Sequence, residues 1–294
     1  MILKLKSISI LLFILYSGNA HTQSGWTKGK GEFFGKIDFS RLSTDNYYSP
    51  SGTALKTNVF NQNAINFYGE YGLKKRISLI AYAPLWRQNY FETTNKVNGI
   101  GDLRLEFKYR LIKNDHWPVS ISIGPEIPTG RSNAYAENKA NPQDRINLPT
   151  GDGEFNVWTT IAASRSLGKG YLSIFGAYNK RTSYHGLRFQ DQYQIGGELG
   201  VNPIKPLWLN VKLRSQWATG ESKYPELGFV RGDGTTYTLI SGEAFYRFNK
   251  KWGASFTYLT GNEWLAKFKN IYIAEFFSIG IIREFQAKSQ DKKQ

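Results

Sequence analysis

The stretch GDLRLEFKYRL (residues 101–111) decides how the chain folds. From Leu103 to Leu111, apolar and charged residues alternate without a break. Side chains point to opposite faces of a strand in turn, so this segment predicts one wall of leucine, phenylalanine and tyrosine and one wall of arginine, glutamate and lysine. Such a strand needs apolar surroundings on one side and water on the other.

The same alternation recurs along the whole chain. It is regular in GEFFGKIDFSRL, NAINFYGEYGL, PVSISIGPEI, GEFNVWTTIAAS, QYQIGGELGV and LWLNVKLRSQW, and less regular in ISLIAYAPLW, YLSIFGAYN, TYTLISGEAFYR, WGASFTYLT and IYIAEFFSIGIIREF. Together with the first stretch, these segments predict twelve strands of about ten residues each, the length that crosses a bilayer. No segment after the first twenty residues has a helical period.

The connections between these strands alternate in length. Short ones fall at residues 73–76, 112–117, 166–170, 202–206 and 248–251, and long ones at 43–62, 87–99, 128–152, 181–190, 218–235 and 261–270. Tight turns at one end and long loops at the other are the layout of an outer-membrane barrel. The sequence therefore predicts an all-β, transmembrane, antiparallel up-and-down β-barrel of about 12 strands, with both chain ends on the periplasmic side.

In this barrel the apolar wall faces lipid and the charged wall faces a water-filled interior, since only a closed barrel pairs every backbone group of a strand in hydrocarbon. The alternative is a soluble antiparallel sandwich. It fits the last strand poorly, because IAEFFSIGII is apolar on both faces and would form an exposed edge. Tryptophans near strand ends suit the aromatic girdles of a membrane protein, although strict alternation turns Trp86, Trp158 and Trp208 inward.

The chain ends predict export. Lys4 and Lys6 precede the apolar run SISILLFILYS, and the small residues Gly18 and Ala20 fit a cleavage site before His21. The alternative, a membrane-anchoring helix, needs about 20 apolar residues, and this run is shorter. We therefore expect a signal peptide at 1–20, an N-terminal segment at 21–30, the barrel at 31–285 and a polar periplasmic tail at 286–294.

The composition points to partners at a bacterial surface. The formal net charge is +15 and the chain has no cysteine. An exported basic protein without a nucleic-acid motif is expected to meet outer-membrane lipid, lipopolysaccharide or acidic solutes, and no nucleic acid. Without thiols the chain has neither disulfides nor thiolate metal sites.

Three motifs carry a family resemblance. The run GIGDLRLEFKYRL, followed by PEIPTG and LPTGDGEF, resembles the outer-membrane transporter family named for the meta pathway of phenol degradation. That family is distantly similar to the long-chain fatty acid and toluene channels, and the resemblance implies passage of small, often hydrophobic molecules. The terminal strand ends at Phe285 and is similar to the signal read by the barrel-assembly machinery, an expected partner. The tail QAKSQDKKQ departs from this pattern.

The chain offers little for catalysis. Its histidines, His21, His116 and His185, fall in separate segments. An outer-membrane phospholipase would need a histidine base followed by a serine nucleophile and an asparagine, whereas in TSYHG Ser183 precedes His185. We therefore predict no enzyme, no catalytic residues and no cofactor.

Two glycine–aspartate motifs, GDGEF and RGDGTT, raise the possibility of a cation or phosphate site. Neither precedes a helix, which argues against a phosphate loop. Asp152, Glu154 and Asp233 would suit a hard cation if the two loops converge. The alternative is that glycine and aspartate serve as turn residues, and we predict no metal.

The interior remains as the functional surface. Alternation places eleven charged residues on it: Arg104, Glu106, Lys108, Arg110, Glu126, Glu154, Glu198, Lys212, Arg214, Glu243 and Arg247. They either contact a solute or form a structural salt-bridge network. With about 4.7 Å between strands and about 40° of tilt, twelve strands enclose a backbone radius of about 12 Å, which long side chains narrow further.

Two functions follow for so narrow a barrel. The first is a channel or transporter that passes or binds a small solute, hydrophobic ones included, with a weak preference for anions because arginines and lysines lie on the opposite strands four and nine. The second is a structural or assembly barrel that transports nothing and whose extracellular loops bind a partner or a surface polysaccharide.

Overall fold

A computed structural model describes residues 23–112, 114, 116–222 and 232–285. The expected signal peptide, His21 and the expected tail at 286–294 lie outside the described residues. Twelve long strands form the body of the protein: β1 Phe33–Tyr48, β2 Ala54–Lys74, β3 Ile77–Phe91, β4 Leu103–Ile112, β5 Val119–Ile127, β6 Asn156–Leu167, β7 Gly170–Arg181, β8 Gln192–Ile204, β9 Leu207–Ala218, β10 Tyr237–Arg247, β11 Trp252–Asn262 and β12 Phe276–Phe285. Six shorter strands lie between them: Val97–Gly99, Tyr135–Glu137, Arg145–Asn147, Ser183–Tyr184, Leu187–Arg188 and Ile271–Tyr272. In the described residues no helix is long and apolar enough to cross a bilayer.

The twelve strands close into a ring. Each pairs antiparallel with its neighbours in sequence, and β12 pairs with β1, from Phe33 opposite Phe285 to Leu42 opposite Phe276. Closure removes the free edges that an open sheet would leave. The predicted all-β antiparallel barrel of twelve strands is confirmed.

The two faces of the wall have the polarity of a membrane barrel. On β4, the Phe107 side chain is 47 % exposed on the outer surface, whereas its neighbour Lys108 is 2 % exposed inside. On β12, Ile279 is 64 % exposed and Ser278 is 2 % exposed. A protein in water would expose the lysine and bury the phenylalanine. This inversion fits a wall that faces hydrocarbon around a polar interior.

The long-loop end departs from the predicted boundaries. β1 and β2 have 16 and 21 residues, and they pair from Phe33–Tyr71 to Tyr48–Ala54. The prediction of a long loop at 43–62 is therefore wrong over most of its length, and the turn occupies residues 49–53. The two strands continue to pair beyond the predicted boundary because the hairpin has a hydrophobic cluster to pack against.

That cluster forms where the connection 128–155 folds back over the long-loop end. Its short strands Tyr135–Glu137 and Arg145–Asn147 pair with each other. Ala136 of the first short strand and the adjacent residues Ala134 and Leu148 pack with Phe60 and Phe91 of the wall and with Val97. The connection is a folded cap over one end of the ring.

A bulge in β3 changes the facing of one tryptophan. Ile65 of β2 lies opposite Trp86, but the next residue, Asn66, lies opposite Pro84, so Leu85 has no partner across the pair. Paired residues share a face, and Ile65 is on the outer surface, so Trp86 faces outward. The inward prediction for Trp86 is wrong. Trp158 is buried inside as predicted, and Trp208 shares the inner face with buried Phe245.

Candidate functional site

The eleven predicted residues lie along the interior or at its rims, and eight of them form ion pairs. The pairs are Arg104–Glu106 (2.6 Å), Lys108–Glu70 (3.5 Å), Arg181–Glu154, Lys212–Glu198 (3.1 Å), Lys36–Glu243 (2.7 Å) and Arg247–Glu284 (2.8 Å). Most charge on the inner wall is therefore neutralised by protein partners. Arg110, Glu126 and Arg214 have no ion-pair partner within 4.0 Å among the residues that the structure describes.

One pair crosses between strands that are not neighbours. Lys36 on β1 reaches Glu243 on β10, and Glu243 also accepts hydrogen bonds from Asn210 (3.3 Å) and Thr257 (3.2 Å). Both charges are almost fully buried. Sequence reasoning placed Glu243 inside but left Lys36 out, although the alternation of β1 puts Lys36 on the same face as Asp38. The pair ties β1 to β10 across the two strands between them in the ring, β12 and β11.

A second group centres on Trp158. The Arg104 guanidinium lies 4.1 Å from the centre of the Trp158 ring. The Trp158 Nε1–H donates to Glu126 (3.0 Å), and the Asn156 amide donates to the same carboxylate (3.3 Å). The indole is thus held between an arginine and a glutamate, which fixes all three side chains.

These side chains line a central cavity of about 280 Å³ in the middle of the barrel. Arg104 of β4 and Arg214 of β9 both contribute to it, as the opposed placement of strands four and nine predicts. Gln194, Tyr82 and Tyr237 also line it. The two tyrosines were missed, since a tyrosine at an inward position gives no distinct sequence signal.

A second cavity, of about 410 Å³, opens toward the long-loop end, and we call it the vestibule. Its lining is largely apolar: Leu42, Phe60, Leu148, Leu239, Leu259, Ile271, Tyr272 and Phe276. Asp152, Arg214, Tyr237, Leu239 and Leu259 border both the vestibule and the central cavity. The two spaces therefore meet at a neck beside Arg214.

The tight-turn end is occupied by the chain's own N-terminal segment. We call residues 23–28 the plug. The Gly25 N–H donates to Ser164 Oγ (2.8 Å), the Ser120 hydroxyl donates to the Ser24 carbonyl (2.9 Å), and the Lys28 N–H donates to Ser78 Oγ (2.9 Å). The plug thus runs along the inner face of the wall from β6 to β3.

The plug also separates two spaces. The Trp26 ring meets the Tyr171 ring edge-on, 5.8 Å between centres. A third cavity, of about 400 Å³, lies at the tight-turn end and is lined by Gln23, Trp26 and Lys28. Gln23 borders both this space and the central cavity. Nothing in QSGWTKGKG marks it as an internal segment, and the sequence did not predict it.

The two glycine–aspartate loops do converge, and protein donors reach Glu154, the Gly232 carbonyl and Asp233. Arg181 pairs with Glu154 and donates to the Gly232 carbonyl (3.1 Å). Asp233 accepts from the Gln190 N–H (2.7 Å) and the Ser222 hydroxyl (3.1 Å). These contacts are those of a loop network that joins the long-loop connections.

A different acidic trio was not predicted. Ligand atoms of Asp102, Glu126 and Asp152 lie within 4.8 Å of one another. Burial, and next the Asp152 carboxylate, raise the pKa of Asp102, which lies in the turn before β4. Asp102 accepts hydrogen bonds from the Gly130 N–H (2.9 Å) and the Asp152 N–H (2.7 Å). Through these two hydrogen bonds Asp102 holds the two PTG turns, residues 128–130 and 149–151, against the wall.

No protein-family model matches the sequence, and no curated protein matches it. Among solved structures, an outer-membrane channel from Pseudomonas putida F1 is 15 % identical over 92 % of this chain and 100 % of that chain, with a TM-score of 0.62. The translocator domain of the autotransporter NalP from Neisseria meningitidis is 9 % identical over 88 % of this chain and 90 % of that chain, with a TM-score of 0.52. The chain has the fold of an outer-membrane β-barrel. At these identities the likeness concerns the fold alone.

Proposed function

We propose that the protein is an outer-membrane channel that admits a small solute at its long-loop end and passes it through a narrow charged interior. The observation that carries this is the run of three cavities, in which the vestibule and the central cavity share a neck and the central cavity and the tight-turn cavity share Gln23. A barrel built only as scaffold has no reason to hold so much space along its interior.

The orientation follows from the loops. Tight turns face the periplasm in outer-membrane barrels, so the vestibule opens outside the cell and the plug lies at the periplasmic mouth. The predicted cleaved signal peptide and the barrel-assembly machinery fit this placement. The resemblance to the phenol meta-pathway family in GIGDLRLEFKYRL and the PTG turns supports a small, often hydrophobic solute.

The presence of the plug supports a second candidate function, that of a structural barrel that transports nothing. Both mouths carry folded segments, the plug at one end and the connection 128–155 at the other. Such a protein would act through its outer loops, which would bind a protein partner or a surface polysaccharide.

Planar bilayers distinguish the two functions. Purified full-length protein, and a variant that lacks residues 21–28, are reconstituted in KCl. Discrete conductance steps, larger in the shortened variant, support the channel. Silence from both proteins, each shown to be folded by its heat-dependent mobility in gels, would refute it and leave the structural candidate.

A further inference from the structure

Arg214 stands apart from the other cations of the central cavity. Arg104, Arg181 and Lys212 line the same cavity and each has a carboxylate partner, Glu106, Glu154 and Glu198 respectively. Arg214 has no carboxylate within 4.0 Å among the described residues. Among the described residues, Arg214 contacts the ring of Tyr237, 5.7 Å from the guanidinium carbon to the ring centre. A guanidinium left unpaired inside a protein is costly unless water or a ligand's anionic group reaches it.

The position of Arg214 also restricts the kind of ligand that can reach it. It lies at the neck, where the apolar vestibule meets the polar central cavity. Leu239, Leu259 and Tyr237 border the same neck. A ligand whose anionic group reaches Arg214 from the long-loop end therefore keeps the rest of its body in the vestibule, against leucine and aromatic side chains.

We propose that Arg214 and the vestibule form a binding site for small organic anions with an apolar body, such as aromatic carboxylates. The planar guanidinium matches a carboxylate with two parallel hydrogen bonds. The vestibule walls remove the apolar body from water, and its volume is within the range of small-molecule sites. This inference rests on the proposed function, since it names the class of solute for the same pathway.

Two acidic residues limit which anions are admitted. Asp152 borders both spaces, and Glu126 lines the central cavity next to Trp158. They oppose a second negative charge near the neck. Monocarboxylates are therefore expected to bind more tightly than dicarboxylates of similar size.

The test uses the full-length protein in detergent and benzoate as probe, with binding measured by equilibrium dialysis. Arg214→Gln should weaken benzoate binding at least tenfold, and Arg214→Lys should restore part of it. Acetate lacks the apolar body and benzamide lacks the charge, so both should bind at least tenfold more weakly than benzoate. Arg131→Gln is the matched control, because Arg131 is exposed on the connection 128–155 and its loss should leave benzoate affinity unchanged.

Several outcomes would overturn the proposal. Equal benzoate affinity in Arg214→Gln and the unmodified protein would remove Arg214 from the site, and acetate binding as tight as benzoate would remove the vestibule. KCl conductance, measured separately, keeps this inference distinct from the proposed function. If the protein binds benzoate but never conducts, the channel function is refuted and the binding site stands. If it conducts but does not bind benzoate, the binding site is refuted and the channel function stands.

Discussion

Valine in place of Gly25 should expel the plug. A Cβ at this position would lie 1.9 Å from the Pro118 carbonyl oxygen and 2.9 Å from the Ser164 nitrogen. Both are backbone atoms of the wall, so neither can swing away as a side-chain tip would. The plug must move instead, and it then loses the Gly25–Ser164 and Ser24–Ser120 hydrogen bonds.

The size of the effect follows from those two bonds. Each contributes about 0.5–1.5 kcal/mol to docking of the plug, so their joint loss costs about 1–3 kcal/mol. That free energy corresponds to roughly a 5–150-fold shift between docked and undocked states. If the docked plug closes the periplasmic mouth, the ratio of open to closed time rises by the same factor.

Single-channel recording measures this ratio directly. The matched control is Gly176→Val on β7, where the nearest atom to a new Cβ, the Gln194 carbonyl oxygen, lies 4.0 Å away. The control should behave like the unmodified protein. Identical open fractions in Gly25→Val and Gly176→Val would show that the plug does not limit conduction.

The other predictions concern stability, topology and selectivity. In denaturant titrations, Lys36→Met should lower the free energy of unfolding by about 3–5 kcal/mol because it leaves Glu243 buried and unpaired. The double variant Lys36→Met with Glu243→Gln should recover much of this loss. Equal instability of the single and double variants would show that the ion pair does not matter. Val211→Arg on the outer wall should cost about 2–4 kcal/mol whereas Val211→Leu should be nearly neutral, and similar curves for the two would mean that this face does not contact lipid. Cysteines at Ser51 and Asn141 should react with an impermeant reagent on intact cells and one at Asn249 should not; the opposite pattern would invert the barrel. Reversal potentials in a KCl gradient should show a weak anion preference that Arg214→Ser reduces and high salt screens, an expectation that clear cation selectivity would contradict.

The fold could be predicted from the sequence because each residue of a barrel strand faces either lipid or the polar interior. That condition imposes a period of two on each strand, and the period is visible in GDLRLEFKYRL without knowledge of any neighbour. The same rule predicted a charged interior, and Arg104 and Arg214, on strands five apart in the ring, both border the central cavity.

The misses occur where the alternation rule does not apply. The bulge at Leu85 shifts the phase of β3 by one residue, and only pairing with β2 reveals it. β1 and β2 extend past the bilayer because a distant connection packs against them. The plug has no periodic signal at all, since it is irregular chain whose backbone groups are satisfied by serines on three separate strands. Each of these depends on contacts between segments far apart in sequence.

The pairing of β1 with β12 also governs how the protein can assemble. The first and last strands meet along ten residue pairs, from opposite ends of the chain. No partial product can complete this seam, because β12 is synthesised after the other eleven strands of the ring. Until then, the strand edges of β1 and β11 that β12 will cover are unpaired, and they must be kept from pairing with strand edges of neighbouring molecules. Entry into the bilayer is therefore expected to be a single late event with a high entropic barrier to closure, and loss of β12 alone should leave an aggregating chain instead of an eleven-stranded ring.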